Sequence, residues 1–241
     1  MRERRLTRAS VPLIALLALT MTLQIGLRAA APRPGAFAEA LPQPPASVVM
    51  RLASFGEPIA MAQLLVLYLQ AFDTQAGISI PFRELDFERV ESWLERTLEL
   101  DPLSQYPLLL ASQVYAQVPD AVRQRRMLTF VYEQFRHDPI RRWRWLAHAA
   151  LMAKHRLHDL PLALSYAQAL SRQASSPSVP SWARQMHIFL LEDLGEVQAA
   201  KILLGGLLAS GAVTDASERR FLTQRLQAME TAEKSTGMTN E

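Results

Sequence analysis

"DFERVESWLERTLELDP", residues 86–102, sets Phe87, Val90, Trp93, Leu94 and Leu98 at spacings of three and four. An α-helix turns every 3.6 residues, so this spacing gathers the apolar side chains on one face and the charged ones opposite. Asp86 stands where an N-cap is needed, and Pro102, with no N–H to donate, closes the run. The stretch predicts one helix with one buried stripe.

Proline-marked breaks divide the chain on either side into helix-length blocks. Upstream, "EPIAMAQLLVLYLQAF" (57–72) is strongly apolar and is followed by a loop holding Gly77 and Pro81. As a second membrane segment its apolar run is too short, closed by Asp73 and interrupted by Gln63 and Gln70, so a packed helix is expected. Downstream come "SQYPLLLASQVYAQV" (104–118), "DAVRQRRMLTFVYEQFRHDP" (120–139), "RRWRWLAHAALMAKHRLHD" (141–159) and "DLPLALSYAQALSRQ" (159–173). "SWARQMHIFLLEDLGE" (181–196), "VQAAKILLGGLLASG" (197–211) and the more polar "DASERRFLTQRLQAMETAEK" (215–234) complete the series. Leucine and alanine dominate, glycines number only 9, and no long alternating Val/Ile/Thr run occurs, so the fold class is all-α.

The N-terminus carries a different signal. Four arginines precede a charge-free stretch from Ala9 to Leu27, which as a helix would span about 28 Å, close to the hydrocarbon thickness of a bilayer. Ala36-Phe37-Ala38 fits a signal-peptidase pattern but lies far beyond the apolar core, and Ala29-Ala30-Ala31 is followed by Pro32. A retained single-pass anchor over residues 9–28 is therefore favoured over a cleaved signal. The basic tail, residues 1–8, then stays in the cytoplasm and the body lies across the membrane, in a bacterium the periplasm. Residues 29–46, with five prolines, read as a stiff linker.

The net charge of +3 also belongs to that N-terminal part. Residues 1–45 hold six arginines against two glutamates, leaving 20 basic and 21 acidic residues in the remainder. A domain-wide footprint for nucleic acid is thus absent. Cysteine is absent too, which excludes disulfides, thiolate metal sites and cysteine nucleophiles.

The blocks also repeat. The Asp-Pro stops at 101–102 and 138–139 lie 37 residues apart, and a proline cluster at 177–180 follows at a comparable distance. Two helices per 30–50 residues mark an α-solenoid. In this register the chain resembles the tetratricopeptide repeat family in degenerate form. Val90, Leu94, Thr97, Leu98, Leu100 and Pro102 match the pattern of that family's second helix, and Leu108, Ala111, Ser112 and Tyr115 the first helix that follows. Trp145, His148, Ala149 and Met152 match the next first helix, and Leu162, Tyr166, Ala169 and Leu170 its partner. Gly195 and Ala200 fit the inter-helix turn and the small contact residue after it. The likeness covers about residues 57–210, three to four repeats, with several signature glycines and alanines replaced.

The resemblance implies a right-handed solenoid of helix pairs over residues 47–212. The polar last block reads as a capping helix over 213–233, with a capping-box-like start at Asp215 and Glu218, and residues 234–241 as a disordered tail. The resemblance also implies a concave surface, lined by the first helix of each pair, that holds a peptide or helix of a protein partner. Here the helices of Tyr106–Val118, Trp143–His155 and Trp182–Asp193 would supply it. Candidate contacts are Gln113, Gln117, Arg141, Arg144, His148, Lys154, Arg184 and Gln185.

Chemistry is sparse. No G-x-S-x-G, GxGxxG or phosphate loop occurs, so no enzyme activity is expected. His148 and His155 sit two turns apart, about 10 Å, too far to share a metal ion, and His155 and His158 meet only if the helix continues. No metal or cofactor is expected. Arg123, Arg125, Arg126, Arg136, Arg141, Arg142 and Arg144 form a local basic ridge, suited to an acidic partner or anionic lipid headgroups. Trp143 and Trp145, about 200° apart on a helix, cannot make one stacking surface for nucleic acid. The expected function is a membrane-tethered scaffold for protein–protein interaction. The alternatives are an accessory subunit of an inner-membrane enzyme or assembly complex, and a cleaved, soluble periplasmic binding module.

Overall fold

The computed structural model describes residues 10–30, 38–75, 77–174 and 176–237, and it is all-helical apart from one small hairpin. Two units separate along the chain: residues 1–39 with 74–79, and residues 40–73 with 80–241.

In the first unit α1 runs from Ser10 to Ala30, and its window Pro12–Ala29 is long and apolar enough to cross a membrane, with none of it buried. Thr20 and Thr22 turn their hydroxyls back onto the carbonyls of Leu17 and Ala18, both at 2.9 Å, which hides the only hydroxyls of the window from an apolar surround. The loop expected around Gly77 is instead a hairpin, β1 (Thr74–Gln75) against β2 (Ile78–Ser79). Gly77, at φ +79°, supplies the left-handed residue such a tight turn needs. The Gln75 amide brackets the Glu39 backbone, accepting from its N–H at 2.9 Å and donating to its carbonyl at 3.1 Å.

The second unit begins with α2 (Ser47–Ala53), α3 (Pro58–Ala71) and α4 (Phe87–Leu100). The stripe of α4 is buried as its spacing predicts, and Asp86 caps it by accepting from the N–H groups of Glu88 and Arg89. The linker is shorter than its composition predicts. Leu41 is 2% exposed, its carbonyl accepts from Arg89, and the Pro42 carbonyl accepts from the Trp93 indole at 2.8 Å. A buried indole N–H needs an acceptor, and a proline-rich strand, with its carbonyls unpaired, provides one. The remaining stretch of the expected linker, 31–37, lies outside the described residues.

Residues 104–118 depart from the single helix expected there. They form α5 (Tyr106–Leu109), a π turn (Leu110–Val114) and a 3₁₀ turn (Tyr115–Gln117). The buried Ser112 hydroxyl donates to the Leu108 carbonyl at 2.7 Å, a back-bond that loosens the main-chain ladder where the wider turn begins. Then follow α6 (Ala121–His137), α7 (Pro139–His155), α8 (Leu160–Gln173), α9 (Ser181–Asp193), α10 (Val197–Ala209) and α11 (Ala216–Gly237). Asp120, Asp138 and Asp159 cap α6, α7 and α8, each accepting a backbone N–H of the first turn and each contributing about 1 kcal/mol. α11 overruns its expected end at 233 and reaches Gly237, the first glycine after Gly211; of the expected tail, 238–241 lie outside the described residues.

From α6 onward each helix packs on the next, and alternate helices also touch, α4 with α6 and α7 with α9 and with the π turn. A series of polar side-chain bonds joins residues 33 to 40 apart: Gln70 to Tyr106, Arg126 to Glu88, Trp145 to Gln105, Arg156 to Gln117, Lys154 to Asp193, Gln185 to Glu218. One large core extends from Leu41 to Leu190, and a smaller one joins Ile188, Ala200, Leu204, Val213, Leu222 and Met229.

Candidate partner-binding face

The eight candidate contact residues divide by what already holds them. Gln113 is exposed on the π turn. Gln117, also exposed, accepts from Arg156 at 2.9 Å and turns its amide toward the Met152 sulfur at 4.0 Å. Arg141 pairs with Asp138 within the first turn of α7, and Lys154 reaches across to Asp193 on α9 at 2.5 Å. Gln185 is 8% exposed and donates to Glu218 at 2.7 Å, so it lies inside the unit and is not a surface contact. That bond also takes the Glu218 carboxylate away from the reciprocal half of the expected capping box. Asp215 makes the other half alone, accepting from the N–H groups of Ser217 and Glu218.

Two candidates are half-buried with part of their polarity unmatched. Arg184 keeps a buried Nε without a partner, and His148 a buried Nε2. Burial pushes the His148 imidazole below its ordinary 6.5, against the opposing pull of a hydrogen bond to the Ser112 backbone. His187, on α9, is likewise lowered by burial, and its Nδ1 lies 2.9 Å from the Arg184 carbonyl. Burial thus favours the neutral form of both rings. α7 ends at His155, so His158 stands beyond it at φ +52°, and the two do not share a helical face. Among the described residues no three His, Asp or Glu side chains gather as a metal site would require.

The basic ridge is largely consumed by internal partners. Arg125 pairs with Asp159, Arg126 with Glu88 and Glu91, and Arg136 with Glu133. Arg123 lies over the Phe87 ring. Arg142 is 4% exposed and donates to the Gln134 carbonyl at 2.7 Å and the Pro102 carbonyl at 2.8 Å. Of the arginines of this ridge, only Arg144 is exposed with no ion pair to a carboxylate among the described residues, its guanidinium 5.9 Å from the centre of the Trp143 ring.

Trp145 is buried with its indole N–H on the Gln105 side-chain oxygen at 2.7 Å. Trp143, half-buried, meets Trp182 of α9 edge to face at 5.7 Å, and Trp182 remains half exposed. The pair was missed as a contact because its members are 39 residues apart; the helical period of about that length was the signal that could have found it. Arg144, Trp143 and Trp182 together give one accessible aromatic and cationic spot on α7 and α9. A second concavity, of about 410 Å³, lies between α3 and the start of α5, lined by Gln63, Leu67, Gln70, Asp101, Ser104 and Tyr106.

Comparison with protein-family models, curated proteins and solved structures gives no match.

Proposed function

We propose that the chain is a membrane-tethered scaffold whose helical pairs stack as a tetratricopeptide-like right-handed solenoid and bind a protein partner. The observation that carries this reading is the polar ladder at separations of 33 to 40 residues. Helix pairs of constant length stacked side by side bring each residue next to its counterpart one pair later, which is the separation this ladder keeps. The apolar, unburied α1 behind a cluster of arginines supports a single-pass anchor in a bacterial inner membrane, with the N-terminus cytoplasmic and the second unit periplasmic. Arg144 beside Trp143 and Trp182 narrows the expected acidic-partner contact to one spot, since aromatic and arginine side chains dominate binding energy at interfaces.

The test is a photo-crosslinking residue at Arg144, at Gln113 and, as a control, at the exposed Arg172, each in the full chain in native membranes. Adducts to a protein from the first two positions and none from Arg172 are expected. Equal labelling from all three, or none from Arg144, overturns the surface.

A further inference from the structure

α2 and α3 meet at a corner of 113°, and its apolar side chains point outward. Val48, Val49 and Leu52 stand on one side of α2, Ile59 opens α3, and Phe55 at the tip is 95% exposed. Phe55 also adopts a φ of +49°, the left-handed region that a bulky residue avoids, followed by Gly56 at +91°. Water gives no reward for holding a phenylalanine in a strained conformation with its ring in solution. From Ala40 to Phe72 the only charges are Arg51 and Glu57.

We propose that this corner docks into the interfacial layer of a lipid bilayer, as a second contact beside the α1 anchor; the proposal rests on the membrane-tethered reading. Three observations select lipid over a protein groove. A ring exposed to this degree stands at a convex tip and lines no concavity. The chain between the candidate span and α2 is sixteen residues, 31–46, or no more than roughly 60 Å fully extended, a length that lets the corner reach the surface a membrane-spanning α1 would enter. The corner is also built to lie on a membrane and not to cross it. α2 has seven residues, about 10 Å, and α3 is committed to the core along Ala62, Leu65, Val66 and Leu69. Such a corner reaches the roughly 5–10 Å depth of an interfacial element and no further. Arg51, at the last turn of α2, is placed to meet lipid phosphates as the apolar tip enters.

The absence of cysteine makes the test direct. The full chain carrying Phe55→Cys, or Val122→Cys on the exposed start of α6 as a control, is labelled with an environment-sensitive fluorophore. Each is reconstituted into phosphatidylcholine–phosphatidylglycerol vesicles, and flotation with the vesicles reads the anchor independently of the label. The expected result at Phe55 is a blue-shifted emission, quenching by a shallow nitroxide lipid, and several-fold weaker iodide quenching than at Val122. A chain that floats with an iodide-accessible Phe55 label overturns the docking and leaves the anchor standing. A label shielded from both quenchers reports a protein occupant and also overturns it, as does equal lipid quenching at Val122. A chain that does not float overturns the anchor and this proposal together.

Discussion

The arginine-rich stretch of α6 and α7 and the apolar corner of α2 and α3 exchange roles between sequence and structure. In the sequence the first looks like an interaction surface, and the run that becomes α3, residues 57–72, like a packed helix. In the folded unit nearly every arginine of the first has an internal partner, whereas Phe55, Leu52 and Val48 of the second have none. Residue type says what a side chain could bind. Whether it is still free to do so depends on what lies about 37 residues away.

The comparison breaks first at Arg142. If the arginines of α7 are structural, Arg142→Ala leaves the part-buried acceptors at Pro102 and Gln134 without their donor and costs about 1–3 kcal/mol, seen as a lower urea midpoint at unchanged slope. A substitution without effect on that midpoint would return Arg142 to the surface. A smaller effect is expected from acid. His148 and His187 are held below 6.5 by burial, so their stabilising contribution is complete above pH 6.5 and is lost as pH falls below it. The urea midpoint should therefore decline from pH 7 to pH 5, and the decline should shrink in His148→Gln. Asp159 titrates in a separate window. Its carboxyl is held below 3.8 by the Leu162 N–H and then by Arg125, so its stabilisation is present above that value and lost only in stronger acid. The smallest effect belongs to the corner, where Phe55→Ser should move stability by no more than about 0.5 kcal/mol because the ring packs on nothing.

Local physics was legible in the sequence to a useful depth. The α4 stripe, the Asp86 cap before it, and the apolar α1 all follow from spacing and residue chemistry within one helix. What escaped needed a partner from elsewhere. Leu41 and Pro42 looked like spacer until Trp93 required an acceptor for its indole N–H. Gln185 and Lys154 looked available until Glu218 and Asp193 arrived beside them. The break at 104–118 turned on one hydroxyl, that of Ser112, which a helix interior tolerates as often as it yields to it. An apolar run such as 57–72 reads the same whether water, protein or lipid meets its outer side, so the exposure at the corner had no signal of its own.

Asp138 has one more consequence. It ends α6 and begins α7 at once, with no intervening loop, its backbone at φ −148° and ψ 75° and its carboxylate fastened to the Arg141 N–H. Two helices that share a residue have no slack between them, so they behave as a single bent rod. An insertion at that elbow would have nowhere to go, whereas the turn at Leu194–Glu196, with Gly195 at φ +82°, is a natural joint. Changes of chain length are therefore expected to be tolerated at that turn and not at the α6–α7 elbow.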